Sequence, residues 1–137
     1  MREQELVISN QGKVKNFRGL KAWQTAYDLA IEIYLVTKKF PREELYGLVS
    51  QMRRAAISVT ANIAEGFDRG GRSEFHQFLV IAKGSCAELR SQLYIAKDIG
   101  YIDEHTFNEV YGQILETGKL IAGLRSAVYR QKKKSGS

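Results

Sequence analysis

The chain has 137 residues, with 21 basic and 15 acidic side chains and a net charge of +6. Its length fits one domain with a core of its own, and its single cysteine excludes a disulfide framework or a cysteine-rich zinc site. The longest uncharged run, 55–64, is far shorter than the roughly 20 apolar residues of a membrane-spanning helix. The N-terminus lacks the apolar stretch of a secretory leader, so we expect a cytoplasmic protein without membrane contact.

Much of the positive charge lies at the C-terminus. Residues 17–129 hold 14 basic and 13 acidic side chains, whereas residues 130–137 hold four basic and no acidic ones. We predict that 130–137 is a disordered basic tail, which is usually solvated but also attracts phosphate groups. Residues 1–16 are polar and contain Gly12, and we predict a flexible arm there.

The first helix is predicted from apolar residues spaced three and four apart, and it ends before Pro41 because the residue before a proline avoids helical geometry. Tyr27 and Tyr34 fall on this apolar stripe, and we expect both to lie in the core. The stripe consists of Leu20, Trp23, Tyr27, Ala30, Tyr34 and Thr37, and it is widened by Ala26, Leu29, Ile33, Val36 and Phe40.

Two further helices are predicted on either side of a glycine-rich loop at 68–72. The second helix runs from Leu48 past Ile63, with Gly66 as its expected stop because glycine tolerates a positive φ. Ser73 is predicted to cap the third helix by accepting hydrogen bonds from backbone N–H groups.

The third helix is expected to end at Gly100, and Asp103 is predicted to cap a fourth helix that continues to Val128. Short loops between long helices force neighbours to run antiparallel. The sequence therefore predicts an all-α fold, an up-down-up-down four-helix bundle over residues 17–129.

Four polar residues near or on the apolar stripes form a predicted structural network: Asn62, Glu65, Ser85 and Glu88. A buried carboxylate needs a partner, and Arg53 or Arg54 paired with Glu88 would supply one. With the hairpin centred near 69–70, Arg54 is expected to face Ser85. A functional site at these residues is the alternative. Gly84, inside the third helix, indicates a close helix contact, with simple tolerance of a glycine as the alternative.

Several basic residues are candidates for a phosphate-binding surface. Adjacent helical residues diverge by about 100°, so Arg53 and Arg54 cannot both face the core. Lys83 and Arg90 lie seven residues apart, nearly on one line of the third helix. With Arg69 and Arg72 in the loop they would form a basic strip. An ordinary solvated face is the alternative.

The usual catalytic constellations are missing from the sequence. There is no glycine-rich phosphate loop, no Glu-x-x-His pair for a di-metal bundle, and no serine with a histidine base at a recognisable spacing. Cys86 lies on an apolar stripe, where we expect a buried side chain rather than a nucleophile. We therefore expect a protein that is not an enzyme and that uses no metal or cofactor.

The chain resembles a bacterial family of four-helix-bundle proteins encoded in intervening sequences of 23S rRNA genes. It is also similar to the accessory variability determinant proteins of diversity-generating retroelements. The resemblance covers about 17–129 and rests on Phe40-Pro41, Tyr46-Gly47-Leu48, 50–56, Ser58, 62–66, Glu74-Phe75, Phe78-Leu79, Ile81-Ala82, Gly84-Ser85 and Glu88-Leu89. It implies a cyclic homopentamer that contacts nucleic acid through basic surface and, in the retroelement branch, a reverse transcriptase partner.

These observations together predict a non-catalytic homo-oligomeric scaffold that binds RNA or DNA weakly and without strong sequence preference. Phosphate neutralisation by clustered cations would drive binding. The alternative is a protein-interaction adaptor, for example for a reverse transcriptase, with only incidental contact to nucleic acid. The predicted contact residues are Arg53, Arg54, Arg69, Arg72, Lys83, Arg90, Lys132, Lys133 and Lys134.

Overall fold

The computed structural model describes the backbone of residues 6–8 and 12–134 and the side chains of residues 14–130. The predicted all-α class and four helices are confirmed. A short antiparallel hairpin precedes them, and two 3-10 turns lie at Phe17–Gly19 and Arg42–Glu44. The elements are β1 (Leu6–Ile8), β2 (Gly12–Val14), α1 (Lys21–Thr37), α2 (Leu48–Arg69), α3 (Arg72–Asp98) and α4 (Glu104–Lys134).

The helices form a ring, in which α1 packs on α2, α2 on α3, α3 on α4, and α4 on α1. The contacts between α2 and α3 run in antiparallel register, because Ser58 meets Ser85 while Phe67 meets Phe75. The core between the helices is apolar, and its largest fully buried side chains include Leu29, Ile33, Met52, Ile63, Leu79, Leu89, Leu93, Ile114 and Ile121.

Glycine and aspartate residues form the turns and caps between the helices. Gly100 adopts a φ of +89°, and the Asp103 carboxylate accepts a hydrogen bond of 2.8 Å from the Thr106 N–H, as predicted for both. Ser73 was the wrong cap, because α3 begins at Arg72 and its N-cap is Gly71, two residues earlier. The left-handed turn between α2 and α3 is made at Gly70, with a φ of +89°.

Gly66 does not end α2, which continues to Arg69. A Cβ atom at Gly66 would lie 2.7 Å from Cβ of Phe78 and 3.0 Å from Cδ1 of Phe75, so α2 and α3 pack closely at this glycine. Of the two interpretations of Gly84 the close contact is wrong, because no atom outside its own helix backbone lies within 4 Å of the position of its missing Cβ.

Helix α1 has two apolar faces, and the core position predicted for Tyr27 and Tyr34 is wrong. Ala22, Ala26 and Ile33 lie in the core, whereas Tyr27 is 48% and Tyr34 38% exposed. Both faces repeat with the helical period, and the small alanines favour the face that packs closely. The outward face, here called the α1 stripe, is formed by Tyr27, Ile31, Tyr34 and Leu35.

Both ends of the bundle extend beyond the predicted limits. In the expected flexible arm, residues 6–8 pair with 12–14, and Val14 packs in the core with only 4% exposure. At the other end α4 continues to Lys134, where a disordered tail was expected from 130. Residues 130–134 are good helix formers, and their positive charges favour a helix C-terminus. Residues 1–5, 9–11 and 135–137 lie outside the described part of the chain.

Candidate nucleic-acid interface

A groove of about 340 Å³ runs between the middle of α3 and the middle of α4. We call it the basic groove. Lys83 and Arg90 of α3 and Lys119 of α4 line it, and none of the described side chains that line it is acidic. Its remaining lining is mostly apolar and consists of Cys86, Ala87, Ile114, Leu115, Gly118 and Ala122.

The spacing of the cations explains why they converge. Lys83 and Arg90 are two helical turns apart, so both lie on the edge of α3 that faces α4. Lys119 approaches from the opposite wall. Lysine and arginine cover apolar surface with their stems while keeping their charges in water. The three positive charges therefore concentrate at one place, although residues 17–129 as a whole are nearly neutral.

Cys86 forms part of the floor of the basic groove, and its side chain is buried as predicted. Burial raises the pKa of its thiol to about 11, against a smaller opposing effect of the positive charges of Lys83 and Arg90. The thiol is therefore protonated near neutral pH, and a protonated thiol is a poor nucleophile. The residue contributes apolar surface to the floor.

A second groove, of about 450 Å³, lies between α2 and α3 and has a different character. We call it the polar groove. Its walls carry both a cation, Arg54, and a carboxylate, Glu88, together with the ring of Tyr46, which is 92% exposed. The other lining residues are Ser50, Gln51, Ala55 and Ser58.

Arg53 does not reach either groove. Its Nε donates to the Thr37 hydroxyl at 3.0 Å, its guanidinium donates to the Tyr34 carbonyl at 3.3 Å, and it lies 4.4 Å from the centre of the Tyr34 ring. These contacts tie α2 to the end of α1. Arg53 is therefore a structural residue, and of the adjacent pair only the exposed Arg54 remains a candidate for ligand contact.

The predicted polar network exists in part. Ser58 joins it as an unpredicted centre, because it accepts hydrogen bonds from Ser85 at 2.9 Å and from the Asn62 amide at 3.0 Å. Glu65 is exposed and pairs with Arg69 at 3.1 Å instead. Glu88 is also exposed, and the predicted buried ion pair between Glu88 and Arg53 or Arg54 is wrong.

The expected placement of Arg54 opposite Ser85 is also wrong, and it has one geometric cause. The hairpin turns at Gly70–Gly71, later than the centre assumed from the sequence, and α2 is longer than predicted. Ser85 therefore faces Ser58 and not Arg54, a shift of about one helical turn. Arg54 is instead carried to the same groove as Glu88.

The other predicted cations are not part of the basic groove. Arg69 is neutralised by Glu65 and lies 3.9 Å from Glu74, and its guanidinium stacks 5.4 Å from the Phe78 ring centre. Arg72 begins α3, about 16 Å along the helix from Lys83. The continuous strip from loop to helix is therefore wrong. The side chains of Lys132, Lys133 and Lys134 lie outside the described side chains.

No helix in the described part of the chain combines the length and hydropathy needed to cross a membrane. Among those same residues, no three histidine, cysteine, aspartate or glutamate side chains lie close enough together to hold a metal ion.

Comparison with known proteins identifies the family. Residues 18–123 match the family model described as 23S rRNA-intervening sequence protein. A crystal structure from Bacteroides thetaiotaomicron, of a protein with unknown function from the S23 ribosomal protein family, has the same fold. It has a TM-score of 0.72 and 22% sequence identity, over 77% of this chain and 95% of that chain. No match was found among curated proteins. The chain belongs to the family of 23S rRNA-intervening sequence proteins.

Proposed function

We propose that this protein is a non-catalytic homo-oligomeric scaffold that binds RNA or DNA through the basic groove. The observation that carries the proposal is the convergence of Lys83, Arg90 and Lys119 on one groove without an acidic neighbour among its described lining residues. The family description associates its members with 23S rRNA, which makes RNA the first ligand to test.

The expected mode of binding is electrostatic. Each phosphate that is neutralised releases counterions, and this release favours binding whatever the base sequence. Three cations give only a weak site. In a cyclic oligomer, however, identical grooves would engage one strand together, and the effective concentration of the linked sites would strengthen the binding.

The α1 stripe is the proposed subunit interface of a homopentamer. Ile31 is 47% and Leu35 51% exposed, and they lie beside the exposed rings of Tyr27 and Tyr34. Contiguous apolar side chains of this kind on a helix mark contact surfaces. Light scattering of the purified chain should give the mass of five subunits, and Ile31→Glu should reduce it to that of a monomer or dimer.

The binding proposal is tested by fluorescence-anisotropy titration of a single-stranded RNA. The groove variant Lys83→Ala/Arg90→Ala/Lys119→Ala should bind at least tenfold more weakly than the unaltered protein (a factor of ten is about 1.4 kcal/mol). A matched control, Lys38→Ala/Lys39→Ala/Arg42→Ala, removes three exposed cations elsewhere and should retain most of the affinity. Equal losses in both variants would refute a specific role for the groove.

The second candidate function is a protein-interaction adaptor, and a second apolar surface favours it. Ile81 and Ile95 lie on one exposed face of α3 and Ile99 directly follows the helix, about half exposed each. The candidate partner is a reverse transcriptase, as the sequence resemblance to the accessory variability determinant proteins implies. Two results together would favour the adaptor. The oligomer would have no affinity for nucleic acid, and Ile95→Glu would abolish its co-purification with the reverse transcriptase.

A further inference from the structure

The polar groove combines two groups that suit a nucleic-acid base better than a phosphate, Tyr46 and Glu88, with one cation, Arg54. The Tyr46 ring is 92% exposed and offers a free face for stacking. Glu88 is a hydrogen-bond acceptor whose negative charge repels phosphate. Among the described side chains, neither Glu88 nor Arg54 has a hydrogen-bond or ion-pair partner, so both are available to a ligand.

The two grooves lie on opposite sides of the same stretch of α3. Lys83, Ala87 and Arg90 line the basic groove, and Glu88 lines the polar groove. Between them the surface of α3 is low, because Gly84 has no side chain and no neighbouring atom lies within 4 Å of its missing Cβ. A strand that crosses here has to span only one helix, about 10 Å wide.

We propose that a nucleic-acid strand crosses α3 at Gly84, with phosphates in the basic groove and one unpaired guanine in the polar groove, stacked on Tyr46 and hydrogen-bonded to Glu88. This inference rests on the proposed function and adds a base preference to it. Arg54, on the facing wall, contacts the phosphate next to that guanine.

Guanine is favoured by the number of donors on its Watson–Crick edge. Its N1–H and its exocyclic amino group lie side by side and can donate to both oxygens of one carboxylate. Adenine, cytosine and uracil each present a single donor group on that edge. Unpaired bases are commonly recognised in this way, by stacking together with hydrogen bonds to an exposed edge.

The test is an anisotropy competition with uridine oligonucleotides that carry one guanosine, inosine or adenosine at the centre. We expect guanosine to bind about tenfold more tightly than adenosine, and inosine to bind about as weakly as adenosine because, without the amino group, it also presents a single donor. Glu88→Gln should remove the preference for guanosine. Tyr46→Ala should weaken guanosine binding about tenfold, whereas Tyr46→Phe should preserve it.

A crossing at Gly84 is tested separately with Gly84→Leu. This variant should melt no lower than the unaltered protein, because the position faces open space, yet it should bind every oligonucleotide more weakly. Equal affinity for the three oligonucleotides, or a guanosine preference that survives Glu88→Gln, would overturn the guanine site. If the groove variant still weakened binding, the proposed function would stand. Absence of binding to any oligonucleotide would overturn both.

Discussion

The hydroxyl of Tyr101 donates a hydrogen bond of 2.8 Å to Oε2 of Glu44, which joins the α3–α4 connection to the turn before α2. The other oxygen of Glu44 accepts from the Leu48 N–H at 3.1 Å, in the first turn of α2. The ring of Tyr101 also packs on Phe40, 5.1 Å between centres. One carboxylate therefore holds two connections at the same end of the bundle.

This contact makes stability depend on pH. The Tyr101 hydroxyl and the Leu48 N–H lower the pKa of Glu44 from 4.5, so its contribution is present above that value and is lost as pH falls through the lower pKa of the folded state. Glu44 raises the pKa of Tyr101 from 10.0, and that contribution is lost only as pH rises through the raised value. The contact is intact throughout the neutral range.

We expect Glu44→Gln and Tyr101→Phe each to lower the melting temperature at pH 7 and to leave a smaller difference from the unaltered protein near pH 3. Tyr101→Phe keeps the ring that packs on Phe40, so it isolates the hydroxyl. Thermal melts between pH 3 and 8 provide the measurement. A difference that stays constant over this range would show that the ionised carboxylate is not what stabilises the contact.

Gly66 and Gly84 form a matched pair for testing helix packing. Gly66→Ala should reduce stability by about 1–3 kcal/mol, because its new Cβ would overlap Phe78. Gly84→Ala should increase stability by up to about 1 kcal/mol, because it gains helix propensity in open space. Urea unfolding of both variants measures the free energies. A stable Gly66→Ala protein would mean that α2 and α3 can separate there at little cost.

Substitutions of Arg53 and Arg54 should have different effects, the first on the stability of the fold and the second on RNA binding. Arg53→Ala removes two hydrogen bonds and a stacked cation and should cost about 1–3 kcal/mol of stability. Arg54→Ala changes an exposed side chain and should alter stability by less than about 0.5 kcal/mol, while it weakens RNA binding. Melts and titrations of each single variant measure the two effects. Reduced binding by a stable Arg53→Ala protein would contradict the structural assignment.

The C-terminal turns of α4 should contribute to binding without being its main site. A version ending at Tyr129 loses Lys132, Lys133 and Lys134 and should still bind RNA, with a smaller salt dependence. Circular dichroism should also show a small loss of helix, since residues 130–134 are helical. If truncation abolished binding, the basic segment and not the basic groove would be the binding site.

Local signals in the sequence were enough to predict the helices but not the contacts between them. Asp103 and Gly100 have side-chain and backbone requirements that act within a few residues, and both were predicted correctly. The register of α2 against α3 depends on the position of the turn, and an error of one helical turn moved Arg54 away from Ser85. Gly66 was predicted to end α2, because the sequence alone does not distinguish a glycine that ends a helix from one that allows two helices to pack closely.

Only the part of the candidate site that follows from the helical period could be predicted from the sequence. The seven-residue spacing of Lys83 and Arg90 placed both on one edge of α3. Lys119 was not predicted, because nothing in the sequence aligns α4 with α3. Tyr46 gave no signal either, since an aromatic residue in a loop next to Leu48 is as compatible with packing as with exposure.

The central claim is that Lys83, Arg90 and Lys119 neutralise phosphates. The most direct test is the slope of log K against log salt concentration for single-stranded RNA, measured for the unaltered protein and for the variant with all three residues changed to alanine. Each phosphate contact on a single strand contributes about 0.7 to the slope, so the slope should become shallower by about 2 in the variant. An unchanged slope would contradict the assignment of the basic groove as the phosphate site.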